Sequence, residues 1–360
     1  MQYRKILYTL LFGLVGGALF FLLRLPLPWI LGPALAVMVM NAVRPGLAQI
    51  PGWLSDIGII VIAYMLARTL SPETGQRIMM ELPWMIVAAL LWILVCFVIG
   101  LLFAKVARLD EASSVLGCMP GGLSQMVLMA EDVRGADPGT VALIQTIRLI
   151  VVLYTVPFLG TVFAGTSAGA GETVAGFAAE GTEGWPALYG YVLLPFVLVA
   201  AWALRRLKVP VGEFVGPALF TGILAALGCT WPEVPNALLA AAQLVVGLRI
   251  GIRVKPRMIW TNKRLAPLAF ASGALLVLIA AFASWLLAVT TSDTIVTWFL
   301  AIAPGGLAEV AATAIVLGAD VTQVTAYQMA RLFMILLFAP PLLRWLLTLH
   351  RGWSSRHRSA

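Results

Sequence analysis

The side chains of this chain that could do chemistry come in matched pairs, set inside apolar surroundings. Arg148 and Arg331 each stand near the middle of a long apolar run. Gln145 and Gln328 precede them by three residues, on the same helical face. A cation at that depth in lipid costs about 2.5–3.5 kcal/mol and needs a compensating partner. Two partners suit it. The arginines could line a central cavity and meet an anionic solute, or they could donate to main-chain carbonyls freed by a break in a neighbouring helix. The residues alone favour neither. Asp137 and Asp320 stand eleven residues before the arginines, on that same face. Asp137-Pro138 reads as an N-cap followed by proline at the first helical position, and Asp320-Val-Thr-Gln323 reads as a capping box. Helix caps are the stronger reading for both, with an ion site as the alternative. Glu309 is a carboxylate inside an apolar segment with no cation beside it in sequence. It could carry a proton, bind sodium or pair with Arg331. Its counterpart in the first half of the chain is Gln125, preceded by Ser124. That difference makes the two halves chemically unequal, as a site for one ligand on a pseudo-two-fold axis requires.

The elements that must position these groups are written twice. Gly32-Pro33-Ala34-Leu35 recurs as Gly216-Pro217-Ala218-Leu219, and Pro120-Gly121-Gly122-Leu123 recurs as Pro304-Gly305-Gly306-Leu307, each 184 residues on. Gly135-Ala136-Asp137 recurs as Gly318-Ala319-Asp320, and Val141, Gln145, Arg148 and Pro157 match Val324, Gln328, Arg331 and Pro340, each 183 residues on. Such self-similarity marks an internal duplication. We place a first transmembrane repeat at residues 1–165, a non-cytoplasmic linker at 166–184 and a second repeat at 185–360. Each half holds six apolar segments: roughly 6–23, 27–43, 54–70, 82–104, 112–130 and 139–160, then 187–204, 214–230, 237–253, 265–289, 294–317 and 322–349. The fifth segment of each carries Pro-Gly-Gly at mid-run. Proline lacks an amide hydrogen and glycine frees the backbone, so the helix breaks there. Unsatisfied backbone at membrane depth is tolerated only inside protein or beside a cavity, and breaks at matching places in two halves point to a transporter site.

Charge orients the halves. If all six segments of each half crossed, Arg205, Arg206, Lys208, Arg253, Lys255, Arg257, Lys263 and Arg264 would lie on the face opposite Arg4 and Lys5. That breaks the positive-inside rule. If the fifth segment enters and leaves on one side, each half crosses five times and the halves are inverted. The cationic loops and both termini then fall in the cytoplasm, with Arg68 and Arg77 as exceptions. A broken but crossing fifth segment, with one short segment that does not span, has the same parity and stays open. Arg68, Arg249 and Arg253 sit near segment ends and are read as reaching to the interface.

Composition sets the class. Of 360 residues, 61% are apolar and 11% charged, against about 45–50% and about 25% in soluble domains. Mean hydropathy is +0.97. These values exclude a soluble globule and a nucleic-acid-binding domain. They leave room for about ten to twelve spans. The net charge of +8 lies mostly in the gaps between apolar runs, as a topology signal. The run from Ile6 to Leu23 is read as the first span rather than a cleaved signal. Cys96, Cys118 and Cys229 are scattered and form no disulfide or zinc pattern, and His350 and His357 lie in the C-terminal tail. No metal, no cofactor and no enzymatic role is expected.

The duplicated Pro-Gly-Gly-Leu blocks, the Gly-Ala-Asp…Gln-x-x-Arg-Leu stretches and the Gly-Pro-Ala blocks resemble the bacterial AbrB membrane-protein family over nearly the whole chain. The resemblance implies a duplicated membrane protein. Members of that family have been labelled ammonia monooxygenases and regulators of gene expression. The first label fits poorly, because no His/Asp/Glu cluster could hold copper or iron. The expectation is an all-α polytopic protein of the bacterial inner membrane that moves a small solute, with anions the match for the arginines, by alternating access. Its site would gather Ser124, Gln125, Gln145, Arg148, Glu309, Gln328 and Arg331. The alternative is a membrane sensor that affects gene expression indirectly, without transport. The expected partners are the lipid bilayer and a small-molecule solute, not nucleic acid; a homodimer stays open.

Overall fold

A computed structural model describes residues 2–68, 72–120, 123–133, 135–165, 187–207, 209, 211–229, 231–254, 256–335 and 338. The linker expected at 166–184 lies outside the described residues. The helices of the first half are α1 (Gln2–Leu22), α2 (Pro28–Val43), α3 (Gly52–Ala67), α4 (Pro72–Ala107), α5 (Glu111–Cys118), α6 (Leu123–Asp132) and α7 (Pro138–Ala164). Those of the second are α8 (Ala187–Arg206), α9 (Gly212–Ala226), α10 (Asn236–Arg253), α11 (Pro256–Thr261), α12 (Leu265–Thr290), α13 (Ile295–Ile302) and α14 (Leu307–Val316), followed by α15 (321–335). The order repeats, with α11 and α12 together standing where α4 stands. Tyr3–Leu22, Met79–Ala107, Pro138–Ala164, Asn236–Thr261 and Leu265–Thr290 are long and apolar enough to cross a membrane. This is an all-α polytopic membrane architecture.

Large apolar side chains face outward where lipid would lie, among them Leu11 on α1, Leu91 and Val98 on α4, Phe196 on α8 and Phe282 on α12. Inside, small residues let backbones approach. A Cβ on Gly16 would stand 2.5 Å from Gly32 O, and one on Gly32 would stand 2.3 Å from Gly16 O, so α1 and α2 touch main chain to main chain. The second half repeats this contact, with Gly216 of α9 against Ala200 O of α8 at 2.5 Å. Gly247 and Gly251 of α10 meet Ile30 O and Ala34 O of α2 in the same way. Without a hydrophobic drive between helices in lipid, close packing of this kind holds them together.

The two halves run in opposite directions. α3 and α10 hold the same place in each half, yet Asp56 near the start of α3 pairs with Arg249 near the end of α10 at 3.3 Å. At the other end, Arg68 just past α3 pairs with Glu233 just before α10 at 3.7 Å. Between them, a Cβ on Gly58 would sit 3.0 Å from Ala242 O. The two helices are therefore antiparallel, and the molecule has an Asp56 face and an Arg68 face. α4 leaves the Arg68 face and arrives at the Asp56 face, where α5 begins. α12 leaves the Asp56 face and arrives at the Arg68 face, where α13 begins.

The helices group into two bundles. α1, α2, α3, α8, α9 and α10 pack mainly with one another. α4, α5, α6, α7, α12 and α13 form the second group, centred on α7. The groups meet along α4 with α9, while α14 packs on α3 as well as on α7 and α13, and α11 packs on both α2 and α7.

Candidate functional site

The Pro-Gly-Gly segments are re-entrant hairpins. α5 ends at Met119, directly before Pro120, and α6 begins at Leu123. Asp137 N, at the cap of α7, donates to Ser113 Oγ in the first turn of α5 at 2.6 Å. The chain has thus gone inward along α5 and come back to the same level along α6 before α7 starts. The second half does likewise, with Asp320 N donating to Thr297 Oγ1 at 3.0 Å. Eight residues of helix span about 12 Å, well short of the roughly 30 Å hydrocarbon core. Each tip therefore lies inside the protein, and the hairpins enter from opposite faces. The crossing alternative left open by the sequence does not fit these bonds.

The Gln-x-x-Arg pairs hold the tips. A helix stopped at a Pro-Gly-Gly turn leaves its last carbonyls without partners. Gln145 Nε2 donates to Leu116 O at 2.9 Å and to Met119 O at 2.8 Å. Arg148 Nη1 donates to Cys118 O at 3.1 Å and Met119 O at 2.5 Å, and its Nη2 donates to Gln145 Oε1 at 2.7 Å. In the second half Gln328 Nε2 donates to Leu300 O at 2.7 Å and Ala303 O at 3.1 Å. Arg331 Nη1 donates to Ile302 O at 3.0 Å and Ala303 O at 2.7 Å. Its Nη2 donates to Gly305 O at 3.2 Å and to Gln328 Oε1. Both arginines are buried. Their charge is answered by the negative ends of α5 and α13. The second tip lies against α7, where a Cβ on Gly305 would stand 3.8 Å from Val152 Cγ1, one turn past Arg148, so both tips meet the same helix. Arg148 Nε is buried with no protein partner.

Glu309 stands at the other side of the second tip. Gly306 is the N-cap of α14, and Glu309 follows in its first turn. A Cβ on Gly306 would fall 1.8 Å from Glu309 Oε2, so only glycine leaves room for that position. Glu309, Gly305 and Thr313 line a cavity of about 20 Å³ between α2, α7 and α14. Leu27, the buried residue that starts α2, also lines it with φ of 47°, a backbone region that non-glycine residues seldom adopt. Val211, its counterpart before α9, has φ of 54°.

Not every residue expected at the site is gathered there. Pro120 and Pro304 end the first arm of each hairpin, and Gly305 and Gly306 form the second tip. Gly121 and Gly122 lie outside the described residues, as do the side chains of Ser124 and Gln125. Asp137 caps α7, accepting from Gly139 N at 3.4 Å and Thr140 N at 2.7 Å. These bonds, with the Thr140 hydroxyl first among them, hold its carboxyl below the usual aspartate range. Asp320 accepts from Gln323 N at 2.9 Å. Both aspartates sit at the hairpin mouths, away from the tips.

One cluster escaped the sequence reading. Arg249 does not reach out to the interface; it bridges Asp56 at 3.3 Å and Glu213 at 3.4 Å, while Arg205 pairs with Asp56 on its other side. The cluster ties α3 to α8, α9 and α10 across the two halves. Asp56, an acid inside an apolar run, was the available signal. Its partners are far away in sequence, and no local pattern names them.

Comparison with known proteins agrees with this architecture. The chain is 26% identical over 369 residues to "Uncharacterized protein YhjN" of Bacillus subtilis (strain 168), covering 96% of this chain and 94% of that one. It is 28% identical over 331 residues to "Putative regulator AbrB" of Escherichia coli (strain K12), covering 91% and 92%. The model of the AbrB family, described as "Transition state regulatory protein AbrB", matches residues 29–347. A duplicated helical membrane protein with paired Pro-Gly-Gly hairpins, matched over that length, belongs to the AbrB family.

Proposed function

We propose that this is a secondary-transporter-like membrane protein that moves a small solute by alternating access. One observation carries the reading: two re-entrant hairpins enter from opposite faces and bring both tips against the same helix, α7. Interrupted helices at matching places in inverted halves are the usual frame for a solute site near the bilayer midplane. The arginine donors are engaged by carbonyls, so their part is to keep the tips rigid. The charge that a solute meets at the second tip is the Glu309 carboxylate. The cavity beside it holds little more than one water, so a solute enters only when the hairpin bundle shifts against the other bundle. The lysines and arginines near the Asp56 face make that face cytoplasmic under the positive-inside rule, in a bacterial inner membrane with both termini inside. No catalytic step belongs to this reading.

The test is reconstitution in liposomes, with solid-supported-membrane currents recorded against a panel of organic acids, amines and amino acids. The expected result is a solute-dependent current that Glu309→Gln abolishes. Absence of current for every solute, together with a stable soluble partner on the cytoplasmic side, would favour the second reading instead. That reading is a membrane regulator without flux, and the name of the Escherichia coli relative supports it.

A further inference from the structure

The donor atoms around Glu309 identify the kind of ion that this carboxylate takes. A hard metal cation needs about six oxygen ligands. The side-chain oxygens among the lining residues are those of Glu309 and Thr313, and the tip adds the carbonyls of Gly305 and Gly306. Gly305 O already accepts from the Arg331 guanidinium at 3.2 Å. Gly306 O accepts from Val310 N at 3.0 Å, and the Thr313 hydroxyl donates to Glu309 O at 2.7 Å. The rest of the wall is aliphatic, with Leu27 and Ile30 from α2, Val152 and Val156 from α7, and Val310 from α14. A volume of about 20 Å³ takes one water, so solvent cannot complete a six-oxygen shell there. A proton needs no ligand shell, and it removes the cost of a charged acid facing hydrocarbon.

We propose that Glu309 binds a proton, not sodium, and is the coupling site of the protein. The inference rests on the transport reading only for the use that is made of the proton. Among the described residues, Arg253 and Arg249 of α10 act on Glu309 electrostatically, and the Arg331 guanidinium bonds Gly305 O at the back of the tip. Asp56 of α3 is paired with Arg249, and Tyr154 of α7 donates to Leu31 O of α2 at 3.2 Å. Gln125, at the equivalent sequence position in the first half, cannot take up a proton in this way.

The experiment is pH-difference infrared spectroscopy of the full chain in detergent, in sodium chloride and in choline chloride. The expected result is a protonated-carboxyl band that Glu309→Gln removes and whose midpoint is the same in both salts. Gly306→Ala, whose Cβ takes the space of Oε2 at a backbone φ of −75° that alanine also adopts, shifts that midpoint. An identical spectrum in wild type and Glu309→Gln overturns the proposal. So does a midpoint that sodium lowers, with a sodium-dependent gain in melting temperature that Glu309→Gln loses. If Glu309→Gln does not fold, an unmoved band in Gly306→Ala overturns it. A Glu309-dependent band without any solute flux removes transport and keeps the proton site. Flux that persists in Glu309→Gln removes the proton coupling and keeps transport.

Discussion

At the residue scale, Arg148 and Arg331 are buried cations whose partners are carbonyls, not carboxylates. Truncating Arg331 leaves Ile302 O, Ala303 O, Gly305 O and Gln328 Oε1 without this donor. Leaving a buried acceptor unsatisfied costs about 1–3 kcal/mol. Arg331→Ala is therefore expected to lower the melting temperature in detergent sharply. Arg331→Lys recovers only part of the loss, because an ammonium cannot reproduce the planar fork. If the arginine faced only solute, both variants would melt as wild type does. Asp137 gives a pH prediction. Its folded pKa is depressed, so its contribution is complete above the ordinary aspartate value of about 3.9 and fades as pH falls below it. Asp137→Asn keeps a capping side chain that does not titrate. Acid melting curves of the two proteins are expected to converge below that pH, with wild type the more stable above it. The effect is small because the group is exposed.

At the element scale, the second hairpin depends on Gly306 and the bundles on glycine contacts. Gly247 meets Ile30 O at 2.3 Å from its would-be Cβ, and the neighbour is backbone that cannot rotate away. Overpacking of this kind costs about 1–3 kcal/mol and sometimes more. Gly247→Val is expected to separate α10 from α2, seen as a lower melting temperature and a broadened size-exclusion profile. The Asp56 cluster divides by exposure. The Arg205 side chain is 65% exposed, so Arg205→Ala is expected to cost about 0–1 kcal/mol. Asp56→Ala strands Arg249, 23% exposed, with Glu213 alone, and the melting temperature is expected to fall further than for Arg205→Ala.

At the scale of the whole molecule, the inverted arrangement places the two hairpin mouths on opposite faces. Glu131 at the first mouth and Ser292 at the second are both exposed. In a chain freed of its three cysteines, Glu131→Cys and Ser292→Cys are expected to react with a membrane-impermeant maleimide from opposite sides of the bilayer. Reaction from one side would remove the opposed hairpins and the central site with them. Under the transport reading proposed above, the hairpin bundle is the moving body, and its motion would break the Tyr154–Leu31 bond between α7 and α2.

The long apolar helices, the repeated blocks and the position of the breaks were legible in the residues, though among the described residues only five of the ten expected crossings are long and apolar enough to span. Each follows from local chemistry: apolar runs of membrane length, a repeated order of blocks, and a proline with two glycines that cannot continue a helix. The Gln-x-x-Arg spacing was also legible as one face of one helix. What those side chains hold was not, because the acceptors at Met119 and Ala303 belong to another helix whose approach is set by packing. The same limit kept hairpin and crossing segment apart only as alternatives. The bond from Asp137 N to Ser113 Oγ decides between them, and it exists only once α5, α6 and α7 have docked. Asp56 and Arg249 stand 193 residues apart, so their pairing belongs to the folded chain alone. Local composition determines where this backbone must break; only through-space contact determines what catches the broken ends.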